Sequence, residues 1–186
     1  LKILALILCG CSLFAAANTI PVVIMDGFAK TAQYTVNPTT TSVSADGSTL
    51  VIDTTKQAAG TQWLWSFATA SGLFKANTAY HVTFSCRLQN PDATKNMLQA
   101  LCRPADLITG HRDVASLAIR SASDDFVKYD LKFIASNRDN LLFKFSSCGL
   151  LRAEIRDLVI TEGLREKYVP ATVDVLPYVG STVSGV

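Results

Sequence analysis

"GLFKANTAYHVTFSCRL", residues 72–88, decides the fold. A short turn of small and polar residues, Ala76-Asn77-Thr78-Ala79, leads into a segment where Tyr80, Val82, Phe84 and Cys86 alternate with His81, Thr83, Ser85 and Arg87. Successive side chains of a β-strand point to opposite faces, so this twofold rhythm predicts a strand with one apolar and one polar side. The first set is expected to turn inward. The second set either faces water or holds a ligand.

The same rhythm recurs along the chain. "DFVKYDLKFIA", residues 125–135, sets Val127, Tyr129, Leu131 and Phe133 against Lys128, Asp130 and Lys132, and "TQWLWSF", residues 61–67, places Trp63, Trp65 and Phe67 in phase. Further strands are predicted over 48–53, 97–103, 114–121, 141–147 and 153–161, with Pro104 ending one of them because proline has no N–H for a ladder. No stretch of helical periodicity outranks these. Eight to ten short strands separated by turn signals predict an all-β fold, a two-sheet antiparallel β-sandwich. The run 97–103 reads as the strand returning beside 80–88, which would face Cys86 and Cys102 into one core within reach of a disulfide. Burial of these cysteines and Cys148 as free thiols is the other reading.

A chain of 186 residues, 49% of them apolar, has room for one well-buried core plus flanking segments. The net charge of +2 is spread over the sequence without a block of like charge, which argues against nucleic acid or anionic lipid as partner. The opening carries Lys2, an apolar run from Ile3 to Phe14 and then Ala15-Ala16-Ala17 before Asn18, the pattern of a secretory signal over residues 1–17. Leu8-Cys9-Gly10-Cys11 offers a second reading, a lipid anchor on Cys11. The apolar run is shorter than the ~20 residues that cross a bilayer, so no transmembrane span is expected. Residues 18–163 form the predicted domain, and 164–186, "LREKYVPATVDVLPYVGSTVSGV", read as a linker or the start of a segment not present. These features predict a secreted or cell-surface location.

The order of segments, "DGF", "GSTLVID", a Trp-containing strand, "GLFKANTAYHVTFSCRL", "DDFVKYDLKF", "NLLFKFSS" and "AEIRDLVITEG", resembles the jelly-roll carbohydrate-binding modules with a galactose-binding-like fold found on secreted bacterial glycoside hydrolases. The family's loop, Tyr and alternating strand correspond to Ala76–Tyr80, its strand aromatics to Phe126, Tyr129 and Phe133, and its closing strand to Ile155–Val159. The resemblance covers most of residues 26–163 and implies a jelly-roll sandwich that binds a polysaccharide or oligosaccharide within a multidomain chain. It also implies a structural calcium ion, for which Asp26 and Asp157 are the carboxylates available; the plain alternative is that both are turn or cap residues. Lys30 stands where the family carries an acidic residue.

Sugar binding uses flat aromatics against the apolar faces of pyranose rings, with polar side chains for the hydroxyls. Trp63 and Trp65 are the stacking candidates, although three aromatics in phase with one another favour burial in the core. His81, Thr83, Ser85 and Arg87, with Gln99 and Arg103 on the strand predicted alongside, are the hydrogen-bonding candidates; an ordinary wet sheet face alternates in the same way. His111 and Arg112, in a predicted rim loop, form a second candidate contact. Neither histidine has a clustered metal-binding partner, no G-x-S-x-G is present, and Asp124-Asp125 marks a solvated turn. The sequence therefore predicts a noncatalytic glycan-binding module. A structural or interaction sandwich packed on a neighbouring domain is the alternative: exposure of Trp63, Trp65 or Tyr80 favours glycan binding, and full burial of all three favours packing.

Overall fold

A computed structural model describes residues 21–58, 63–105, 113–135 and 140–163. The expected leader at 1–17, the tail at 164–186, and His111 and Arg112 lie outside the described residues. Among the described residues eleven strands are formed: β1 (Val22–Asp26), β2 (Tyr34–Val36), β3 (Thr41–Val43), β4 (Thr49–Asp53), β5 (Trp63–Thr69), β6 (Ala79–Gln89), β7 (Met97–Pro104), β8 (Ala115–Ile119), β9 (Ser123–Ile134), β10 (Leu141–Cys148) and β11 (Arg152–Glu162). They make two antiparallel sheets: β3-β4-β11-β6-β9, with β1 also on β11, and β2-β5-β10-β7-β8. This is the predicted two-sheet sandwich.

Between the sheets lies a continuous core. Phe67 and Phe145 pack at 5.7 Å, Phe145 and Phe84 edge-to-face at 5.1 Å, and Phe28 meets Phe67 edge-to-face at 5.7 Å. Tyr80, Val82, Phe84 and Cys86 are all buried there, as the alternation predicts. The Tyr80 hydroxyl accepts the Lys75 backbone N–H at 2.7 Å, satisfying its polar tip while its ring packs on Phe74 and Phe133. The polar tip thereby ties the turn at Ala76–Thr78 to the strand.

Two irregularities shape the six-stranded sheet. Strand β4 pairs with β11 from Arg152 to Arg156, and β1 takes over the same edge from Val159 to Glu162. Asp157 sits at the changeover in the left-handed region, φ 53°, a conformation that Asp tolerates better than most residues. The β3–β4 turn is closed by Asp46, whose carboxylate accepts from Ser44 Oγ at 2.5 Å and Ser48 N–H at 3.0 Å and is thereby held down at about 2. Gly47 follows at φ 68°, with Ala29 so close that a Cβ would meet its Cα at 2.6 Å.

The chain crosses between sheets after β6. The expectation that 97–103 returns beside 80–88 is corrected: β6 pairs with β11 and β9, whereas β7 pairs with β10 and β8 in the other sheet. Cys86 and Cys102 therefore face the core from opposite layers, which stack ~10 Å apart, beyond disulfide reach. Both are free thiols, and burial pushes each up to about 12.

Candidate functional site

The outer face of the five-stranded sheet is built by register. Strand β10 supplies Cys148, Ser146, Lys144 and Leu142 to that face, and each aligns a row across the sheet. Trp63, Cys148 and Met97 form the first row; Trp65, Ser146, Gln99 and Ala118 the second. Thr35, Ala68, Lys144, Leu101 and Ser116 form the third, and Leu142 with Arg103 the fourth. Gln99 Nε2 donates to Ser116 Oγ at 2.6 Å, fixing an amide and a hydroxyl beside the tryptophan rows.

The tryptophans reach this face because β5 is bulged. Phe145 pairs with Phe67 but Ser146 pairs with Trp65, so Ser66 is an extra residue in β5. Ser66 is buried against Ser147, 3.4 Å between hydroxyls, and the inserted residue inverts the phase of everything before it. Phe67 is 0% exposed, whereas Trp63 is 51% and Trp65 46% exposed. The expected burial of all three aromatics is thus corrected for the two tryptophans. Asn37 holds the bulge from β2's end: its backbone N–H donates to Ser66 O at 3.0 Å and its Nδ2 to Trp65 O at 3.1 Å.

At the far end of the face, Arg103 Nε stands 3.6 Å from an Asp113 carboxylate oxygen. Burial pushes the Asp113 carboxyl up, against the pull of Arg103 and Lys144, and burial together with Arg103 pushes the Lys144 ammonium down. Sequence reasoning named Arg103 but not Lys144 or Asp113 as partners of one site. Their proximity depends on β10 separating β5 from β7 in the sheet.

The other predicted palette is split from this one. Thr83, Ser85 and Arg87 lie on the outer face of the six-stranded sheet, across the sandwich from Gln99 and Arg103, so the six residues do not form a single surface. Arg87 is tied to Glu154 at 2.6 Å and lies 5.1 Å from the Phe126 ring, over which Arg156 stacks at 3.6 Å. Arg152 extends the network by bridging Glu154 and Asp53. The Arg87 hydrogen bond and the neighbouring guanidinium groups hold the Glu154 carboxyl below its ordinary value against the opposing effect of burial. His81, expected on the open face, is buried and stands 3.6 Å from Asp130.

Asp26 ends β1 opposite Val159, two residues beyond Asp157, so the two expected calcium carboxylates belong to one corner of the sheet. Among the described residues no three His, Cys, Asp or Glu side chains converge, and calcium there would need main-chain oxygens to complete its six to eight ligands. Among the described residues, no helix is long and apolar enough to cross a membrane.

No family model matches the chain, and no curated protein matches it significantly in sequence. Solved structures do match. The N-terminal endo-1,4-β-D-xylanase 10B of Clostridium thermocellum, CBM22-1 and GH10 modules in complex with xylohexaose, superposes with a TM-score of 0.53 at 8% identity, over 80% of this chain and 30% of that one. The CBM22-1 xylan-binding domain of Paenibacillus barcinonensis gives 0.50 at 12% identity, over 77% and 92%. The fold is that of jelly-roll carbohydrate-binding modules. The chain spans less than a third of the xylanase's length, and identities this low concern the fold alone.

Proposed function

We propose that this chain is a noncatalytic glycan-binding module of a secreted bacterial protein, attached to a larger carbohydrate-active enzyme, and that it binds on the outer face of the five-stranded sheet. The observation that carries this reading is the half-exposure of Trp63 and Trp65, in adjacent rows of one sheet face beside Gln99, Ser146 and Ser116. Large exposed aromatics cost solvation without a partner, and a pyranose offers one: C–H groups for the ring faces, hydroxyls for the amide and serines. Successive same-face residues on a strand stand ~6.6 Å apart, a spacing that suits neighbouring sugars of an extended chain. The alternative, a sandwich that only packs on a neighbour, is favoured by buried tryptophans, which this chain does not have.

Xylan is the first polymer to try, since one structural neighbour is described as a xylan-binding domain and another holds xylohexaose. Affinity electrophoresis through xylan, mixed-linkage glucan and soluble cellulose derivatives tests the reading. Retardation by at least one polymer is expected, lost in Trp63→Ala and Trp65→Ala and unaffected in Arg87→Ala, whose guanidinium is engaged on the opposite sheet. Retardation unchanged by both tryptophan substitutions overturns the assigned face; none with any polymer overturns the function.

A further inference from the structure

Among the described residues, the charged end of the tryptophan-bearing face has more cations than anions. Arg103 and Lys144 occupy diagonal positions on adjacent strands, since Lys144 pairs with Leu101 and Arg103 lies two residues on. Their Cα atoms are thus ~7–8 Å apart, within joint reach of one small anion. Asp113 is engaged with Arg103 at 3.6 Å and also attracts Lys144, so among the described residues one carboxylate is shared between two cations. Both cations are only part-exposed, so covering the face with a neutral polymer would leave two positive charges poorly solvated with one described carboxylate between them. The opposite sheet shows the contrast: Arg87 and Arg152 are matched there by Glu154 and Asp53, and Arg156 is covered by the Phe126 ring.

Resting on the glycan reading above, we propose that Lys144 and Arg103 receive the carboxylate of a uronic-acid residue while Trp63 and Trp65 stack on neighbouring sugars, making the ligand an acidic polysaccharide. Lys144 lies one row beyond Trp65, so the carboxylate and the stacked ring belong to the same or adjacent sugars. An ammonium and a guanidinium converging on one carboxylate give charge-assisted hydrogen bonds, stronger than those to neutral hydroxyls and strengthened by partial exclusion of water. Asp113 stands 3.6 Å from Arg103 and, as the one carboxylate among the described residues there against two cations, leaves the surplus for the ligand.

Two polymer pairs test this: xylan bearing glucuronate against the same xylan with its carboxyls reduced, and polygalacturonate against its methyl ester. The acidic member of at least one pair is expected to bind about tenfold more tightly at low salt, the difference shrinking as salt rises from ~0.02 to ~0.5 M. Lys144→Gln and Arg103→Gln each bring the ratio toward one, Lys144→Arg preserves it, and Arg87→Gln, on the other sheet, preserves it as well. Circular dichroism confirms that each variant is folded. Equal affinity within both pairs, a ratio that survives Lys144→Gln, or retention of neutral glucan alone overturns the acidic preference while leaving the glycan reading intact. Absence of retention with every polymer overturns both.

Discussion

Truncating the aromatics of β5 one at a time tests the bulge on which the site depends. Phe67 has no exposed surface and packs against Phe28, Tyr34 and Phe145, so Phe67→Ala should cost about 3–5 kcal/mol. Trp63 and Trp65 hide only about half of their surface. A fully buried aromatic removes ~150–250 Å² from water, so half of that at ~25 cal/mol per Å² gives about 2–3 kcal/mol for either tryptophan, less once the compactness of the unfolded chain is counted. Urea denaturation followed by far-ultraviolet circular dichroism measures all three on one scale. Because the chain has two tryptophans and both lie on this face, intrinsic fluorescence adds an independent reading. Native emission should be red-shifted and open to acrylamide, and should become protected when a polymer binds. Blue-shifted, quencher-resistant emission, with Trp65→Ala as costly as Phe67→Ala, would refute the phase inversion and the site with it.

Three further outcomes are expected. Asn37→Ala removes the amide that donates to Trp65 O and accepts from Thr39; stability should fall by ~1 kcal/mol in urea melts, and polymer retention should weaken because the bulge loses its outer clamp. Gly47→Ala forces a Cβ against Ala29 in a left-handed turn and should cost at least ~1–2 kcal/mol, seen as a lower Tm, with binding affinity unchanged at temperatures where the protein is folded. Arg87 and Arg152 hold the Glu154 carboxyl below its unfolded value, so the charged network contributes fully above ordinary carboxylate pH and is lost as pH falls through the folded value. A pH series of melts should therefore show stability declining below about pH 4.5, and Glu154→Gln should flatten that acid limb.

Alternation made the architecture legible. Strands β6, β9, β10 and β11 read directly from their twofold pattern, because each has one face against the core, and the inward set Tyr80, Val82, Phe84 and Cys86 follows from it. Two features were not legible. The loop after Gln89 has the length of a hairpin connection, yet Asn90 and Asp92 turn the chain across to the other sheet through local contacts such as Asn90 Nδ2 to Asn96 O and Asp92 Oδ1 with Thr94. Residue type at the turn does not reveal which layer receives the next strand. The bulge is harder still: Ser66 carries no glycine or proline signal, and its place is set by Asn37, nearly thirty residues earlier, and by Ser147 on β10. Phase arguments fail across such a residue, which is why alternation puts the tryptophans beside Phe67; the crossover after Gln89 is why it puts Arg103 beside Arg87.

The extra residue in β5 has an evolutionary corollary. Loss of one codon near Ser66 would turn the side chains of Trp63 and Trp65 from the outer face toward the core, and its gain would do the reverse. A lineage of such sandwiches can therefore acquire or retire its exposed aromatic pair in a single indel, a change far larger at the surface than in the overall sequence.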